Sequence, residues 1–140
     1  MLFDDTLRDV LKKIRTIAVI GAKDKPGQPV DMVGRYLIDA GYNVIPVHPV
    51  RKSVWGLPTY ASILDIPVAV DLVDLFRASE ACLAHAEEVS RLAVMPSVFW
   101  MQSGISNPDA GRLMAAKGVK VVEDKCLMVE LERLGIAGPA

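Results

Sequence analysis

The chain has 140 residues, of which 51% are hydrophobic and 24% charged, the size and make-up of one ordinary folded domain. Sixteen Lys and Arg against 17 Asp and Glu leave a formal net charge of −1, so no general basic field draws nucleic acid or an anionic membrane. Disorder, collagen-like repeats, a solenoid and a second full domain all fit these numbers poorly.

The predicted elements alternate along the chain. Residues 4–14 place Leu7, Val10, Leu11 and Ile14 on one helical face. Residues 16–21 then form a short apolar run closed by Gly21, as expected of a strand buried on both sides. Residues 23–29 read as a loop, and residues 30–40 repeat the helical spacing up to Gly41. A second strand is expected over 43–47, halted by Pro46, His48 and Pro49, followed by an irregular connection over 51–67 with a short helix near 60–64. The third strand covers 68–76, with Ser79 as N-cap of a helix reaching about Leu92. A fourth strand follows over 97–101. Asn107-Pro108-Asp109 opens the next helix with a cap, a first-turn proline and an acid. That helix ends at Gly118, a fifth strand runs over 119–122, and a last helix covers about 125–134.

Strands alternating with helices predict an α/β fold: three layers, with a five-stranded parallel sheet flanked by helices, arranged as a Rossmann-type half or a flavodoxin-like sheet. The expectation is a single domain over 1–140 with its core at about 14–134. The first residues carry acids where a signal peptide carries bases. No apolar run approaches the roughly 18 residues needed to cross a bilayer, so a cytoplasmic protein is expected.

Ligands of open parallel sheets sit beyond the carboxyl ends of the strands. After the first strand come Gly21, Ala22, Lys23 and Lys25: a tight turn, a helix start and two cations suited to phosphate. After the second come His48, Pro49, Arg51 and Lys52, with no carboxylate of the kind that accepts the ribose hydroxyls of NAD. Cations there favour a nucleotide phosphorylated on its ribose, which leaves NADP and coenzyme A. Phe76 and Arg77 follow the third strand, where Phe76 also suits plain core packing.

Catalytic constellations are not evident. There is no P-loop and no nucleophile elbow. Asp71 and Asp74, three apart on the predicted third strand, face opposite sides and make no carboxylate pair. His85 is expected on a polar helix face. Cys82 and Cys126 are too few for a disulfide framework or a zinc site. Cys126 sits near a helix start, where a mixed disulfide with a thiol cofactor is one conceivable use.

The segments IAVIGAKDKPGQPVDMVGRYL, GYNVIPVHP, YASILDIPVAVDLVDLFRASE, VFWMQSGI and EDKCLMVELERL resemble the stand-alone CoA-binding proteins. These are similar to the N-terminal Rossmann-type domain of the succinyl-CoA synthetase α subunit. The resemblance implies a module that binds coenzyme A or an acyl-CoA for sequestration, sensing or delivery, without catalysis of its own. It implies a phosphate loop of Gly21, Ala22, Lys23 and Lys25. His48 and Pro49, with Arg51 or Lys52, would flank the adenosine 3′-phosphate. Val73, Phe76 and Arg77 would line the adenine and pantetheine side, and Gln102 would face the pocket. At the helix start Val30-Asp31 stands where related sequences often place Ser-Tyr, and an acid there competes with a bound anion for the helix dipole. The alternative is an NADP-binding oxidoreductase subunit or fragment. The expected partner is the small-molecule nucleotide, with a protein partner open and no metal, nucleic acid or membrane.

Overall fold

The computed structural model describes residues 3–140. Five strands, β1 (Thr16–Ile20), β2 (Asn43–Val47), β5 (Leu72–Leu75), β6 (Val98–Met101) and β7 (Lys120–Val122), form one parallel sheet in the order β2-β1-β5-β6-β7. Counted over these five alone, the order is the flavodoxin-like 2-1-3-4-5, which reverses between β1 and β5.

The sheet is covered on both faces because its strands alternate two apolar sets. Ile17 and Val19 of β1, Leu72 of β5, and Val98 and Trp100 of β6 pack with α1 (Asp4–Leu11), α2 (Pro29–Asp39) and α5 (Leu127–Arg133). Ala18, Ile20, Val73, Leu75, Phe99 and Met101 pack on the other face with α3 (Cys82–Val89) and α4 (Pro108–Ala116). Both sets are buried, which is why these strands read as continuous apolar runs.

Several boundaries differ from the sequence expectation, each for a physical reason. The third strand is four residues long: its ladder pairs begin at Leu72, and Asp71 adds only flanking backbone bonds, its N–H donating to the Thr16 carbonyl and its own carbonyl accepting the Ser97 and Val98 amides. Asp71 therefore precedes the strand, and its Oδ2 accepts the amides of Arg15 and Thr16 at 3.0 and 2.9 Å. Pro46 does not halt β2 but lies inside it. The strand is at the sheet edge, its outer side met by Tyr60, whose N–H donates to the Pro46 carbonyl.

Ser79 does not cap α3. A 3-10 turn (Ser79–Ala81) comes first, and Ser79 instead accepts the Ser106 amide on Oγ and the Asn107 side chain on its carbonyl. Asn107 caps α4 as expected, accepting the Ala110 amide at 3.0 Å.

The irregular connection holds a small hairpin, β3 (Ser53–Val54) and β4 (Leu57–Pro58), and a 3-10 turn (Ile63–Asp65) instead of a helix near 60–64. Trp55 in the hairpin turn has φ +55, unusual for a bulky residue. Three contacts hold it there. Its amide donates to Asp24 Oδ2 at 3.3 Å, its indole Nε1–H donates to Asp31 Oδ1 at 2.9 Å, and its ring lies on Gly34.

Candidate functional site

A crevice of about 620 Å³ opens where the strand order reverses, beyond the carboxyl ends of β1, β5 and β6. Of the residues expected to bind, Gly21, Lys23, Phe76, Arg77 and Gln102 line it. Gln28, Pro29, Val30, Ala78, Ser103, Ile105 and Cys126 complete the wall. Ala78, Ser103 and Ile105 follow strand ends, where the carboxyl-end rule reaches them.

Gly21 has φ +85, and a Cβ on it would lie 2.3 Å from the Phe76 carbonyl oxygen. Only glycine lets the loops after β1 and β5 approach this closely. The aliphatic stem of Arg77 runs over the same point, its Cδ 3.2 Å from that position.

The amides of Gly21 and Ala22, expected to cradle phosphate, are otherwise engaged. Both donate to the Val47 carbonyl, at 3.0 and 3.2 Å, and the Ala22 side chain is buried in the core. The N–H groups of Lys23, Asp24 and Lys25, by contrast, have no protein acceptor among the described residues. Of these three residues only Lys23 lines the crevice, where its open amide and its ammonium are suited to an anion.

His48 adjoins this loop and is half-buried. Its Nδ1 accepts the amides of Val50 and Arg51, both at 3.1 Å, so the ring proton resides on Nε2. Burial first, and then the charges of Arg51, Lys23 and Arg77, hold the imidazole below its ordinary pKa. Four basic groups from three loops thus converge beside the crevice.

Arg51 is partly committed: its Nη1 pairs with Asp24 Oδ1 at 3.0 Å. Lys25, Pro49 and Lys52 are exposed and stand outside the crevice wall. Val73 is wholly buried with the core cluster on the opposite sheet face, so it does not reach the crevice. Gln102 is divided between two tasks. Its Oε1 accepts the Leu127 amide at the start of α5, at 3.1 Å, and its carboxamide nitrogen has no protein partner among the described residues.

Asp31, the acid expected to compete with an anion at this helix start, is already paired. Its carboxylate is buried, bound by both oxygens to Arg35 Nε at 3.0 and 3.1 Å, and takes the Trp55 indole as well. Its charge is matched by Arg35 and spent on the α2–hairpin contact.

Cys126 is half-buried at the N-cap position of α5 and is a free thiol. Asp74 is fully buried, and neither carboxylate oxygen has a hydrogen-bond partner among the described residues. A second cavity, of about 580 Å³ between α1, α4 and β7, contains none of the expected binding residues. Among the described residues no group of three His, Cys, Asp or Glu is placed to hold a metal ion. No helix there is long and apolar enough to cross a membrane.

A family model described as a CoA binding domain matches residues 15–132. The Bacillus subtilis protein YneT is 35% identical over 123 residues, covering 88% of this chain and 90% of its own length. The ADP-forming acetate–CoA ligase I of Archaeoglobus fulgidus is 29% identical over 121 residues, a match that takes in 81% of this chain but 18% of the ligase. A solved Thermus thermophilus protein has 41% identity and a TM-score of 0.88, covering 95% of this chain and 99% of its own. A hypothetical protein from Pyrococcus horikoshii has 34% identity and a TM-score of 0.89, covering 95% and 92%.

Proposed function

Because this chain belongs to the CoA binding domain family, we propose that it binds coenzyme A or an acyl-CoA in the crevice between the loops after β1 and β5, as a binding, sensing or carrier module without chemistry of its own. The observation that carries this reading is the pairing of unlike surfaces in one crevice. The same wall carries the cations Lys23 and Arg77 and the apolar Val30, Phe76 and Ile105. A ligand suited to both kinds of surface has phosphoryl groups joined to a long, weakly polar arm, and coenzyme A is such a molecule.

The phosphoryl groups would meet the Lys23 amide and the Lys23 and Arg77 side chains. Charge-assisted hydrogen bonds of this kind contribute about 1.5–3 kcal/mol each where water is excluded. Arg51 faces the same region, and its guanidinium keeps free N–H groups beside the one given to Asp24. The pantetheine arm would run along Phe76 and Ile105 toward Gln102 and Cys126. No general acid, base or activated nucleophile is part of the proposal, and the ligase activity of the Archaeoglobus relative, most of whose length has no counterpart here, is not carried over.

Equilibrium titration with CoA, acetyl-CoA, NADP and NAD tests the reading. CoA or acetyl-CoA should bind at least about tenfold more tightly than either dinucleotide, a difference of about 1.4 kcal/mol. A preference for NADP would replace this reading with that of an oxidoreductase subunit.

A further inference from the structure

The ring of His48 is held in one tautomer by the chain that follows it. Nδ1 accepts two amides, those of Val50 and Arg51, in the manner of an Asx turn built with imidazole in place of a carboxamide. This turn sets the direction in which residue 51 leaves β2, and Arg51 then reaches across to Asp24. Nε2 has no protein partner among the described residues and keeps the proton. The charged groups acting on the ring are Lys23 from the loop after β1, Arg77 from the loop after β5, and Arg51 from its own turn. No carboxylate is among them. The nearest backbone partner from another segment is Tyr60, whose carbonyl accepts the His48 amide.

Resting on the CoA-binding reading above, we propose that His48 is a positioning residue that works only as the neutral imidazole: its Nδ1 shapes the turn that presents Arg51 to a phosphoryl group of the ligand, and protonating the ring releases that ligand. Protonation places a hydrogen on Nδ1, where two N–H groups already point. Donor meets donor, the turn opens, and Arg51 loses its direction. The sign is opposite to that of simple electrostatics, in which a fourth positive charge would strengthen the grip on an anion.

The experiment compares the wild-type protein with His48→Asn, binding CoA between about pH 7.5 and about pH 5, the range in which imidazole titrates. The Asn Oδ1 accepts the same two amides and does not titrate. Titration of the ligand's own phosphomonoester, with a pKa near about 6, is common to both proteins and cancels in the ratio. Below neutral pH the wild-type to variant affinity ratio should fall by up to about tenfold per pH unit once the ring titrates. Nitrogen-15 spectra of the two histidines, with His85→Gln to assign them, should show His48 as the Nε2–H tautomer with and without CoA. A ratio that rises on acidification, or a ring that becomes protonated on binding CoA, overturns the proposal. If neither protein binds CoA at any pH, it is the underlying CoA-binding reading that fails.

Discussion

Asp74 is a carboxyl group without a partner in the middle of the sheet. It lies in the ladder between Val19 and Trp100, whose side chains are in the core cluster beneath α2 and α5. Burial raises its pKa well above the ordinary carboxylate value, and no neighbouring charge offsets this. The folded state therefore holds the Asp74 proton more tightly than the unfolded chain does. Its contribution is most favourable below the unfolded-state pKa and is progressively lost as pH rises from there toward the folded value. Asp74→Asn, of the same shape and without the charge, should raise stability near pH 7 by about 1–3 kcal/mol. The gain should shrink toward zero near about pH 3.9, where the unfolded carboxyl begins to hold its own proton. Urea denaturation midpoints across that range check it, and a variant less stable than wild type at neutral pH would show that Asp74 has a favourable role.

At the scale of elements, the β3–β4 hairpin acts as a latch on the loop and helix that border the crevice. Trp55 ties the hairpin to Asp24 in the β1–α2 loop and to Asp31 in α2, and Arg51 adds a second bond to Asp24. Gly34 makes the latch possible, since a Cβ there would lie 2.2 Å from the indole ring carbons. A glycine inside a helix normally gains about 0.5–1 kcal/mol when changed to alanine. Here the sign should reverse. Gly34→Ala must push Trp55 out of place, at about 1–3 kcal/mol of overpacking, and should weaken CoA binding by loosening Asp24 and the residue 23–25 amides. Denaturation midpoints, the fluorescence of Trp55 and a CoA titration report the three effects. A stabilised variant with unchanged affinity would mean that the hairpin does not brace the site.

Over the whole molecule, the crevice draws on loops from β1, β5 and β6 and on the start of α5, so its wall spans both sides of the point where the strand order reverses. The end of α5 is in turn fastened to α1 by Arg133, which bonds Asp4 through Nη1 and Nη2 at 2.9 and 3.0 Å and Glu130 through Nε at 3.0 Å. A ligand held across these loops binds the folded state alone. At a free CoA concentration a hundredfold above Kd, stability should rise by about 2.7 kcal/mol, visible as an upward shift of Tm that dephosphorylated, non-nucleotide pantetheine at the same concentration does not produce. No shift at saturating CoA would contradict binding to the folded state.

The amino-acid sequence alone determined the alternation of elements, the parallel sheet with both faces covered, and the strand ends where Gly21, Lys23, Phe76, Arg77 and Gln102 meet. These follow from local periodicity, capping and the rule for strand termini, each legible within a dozen residues. It did not determine which groups are free to act. Gly21 and Ala22 turn their amides to Val47, Asp31 is absorbed by Arg35 and Trp55, Asp24 takes part of Arg51, and Val73 faces the far side of the sheet. Those outcomes depend on partners such as Asp24 and Arg51, 27 positions apart, and on which face of a strand a side chain takes. Only the tertiary structure decides them, because a hydrogen-bonding group is spent or spare according to what the fold brings within about 3 Å of it.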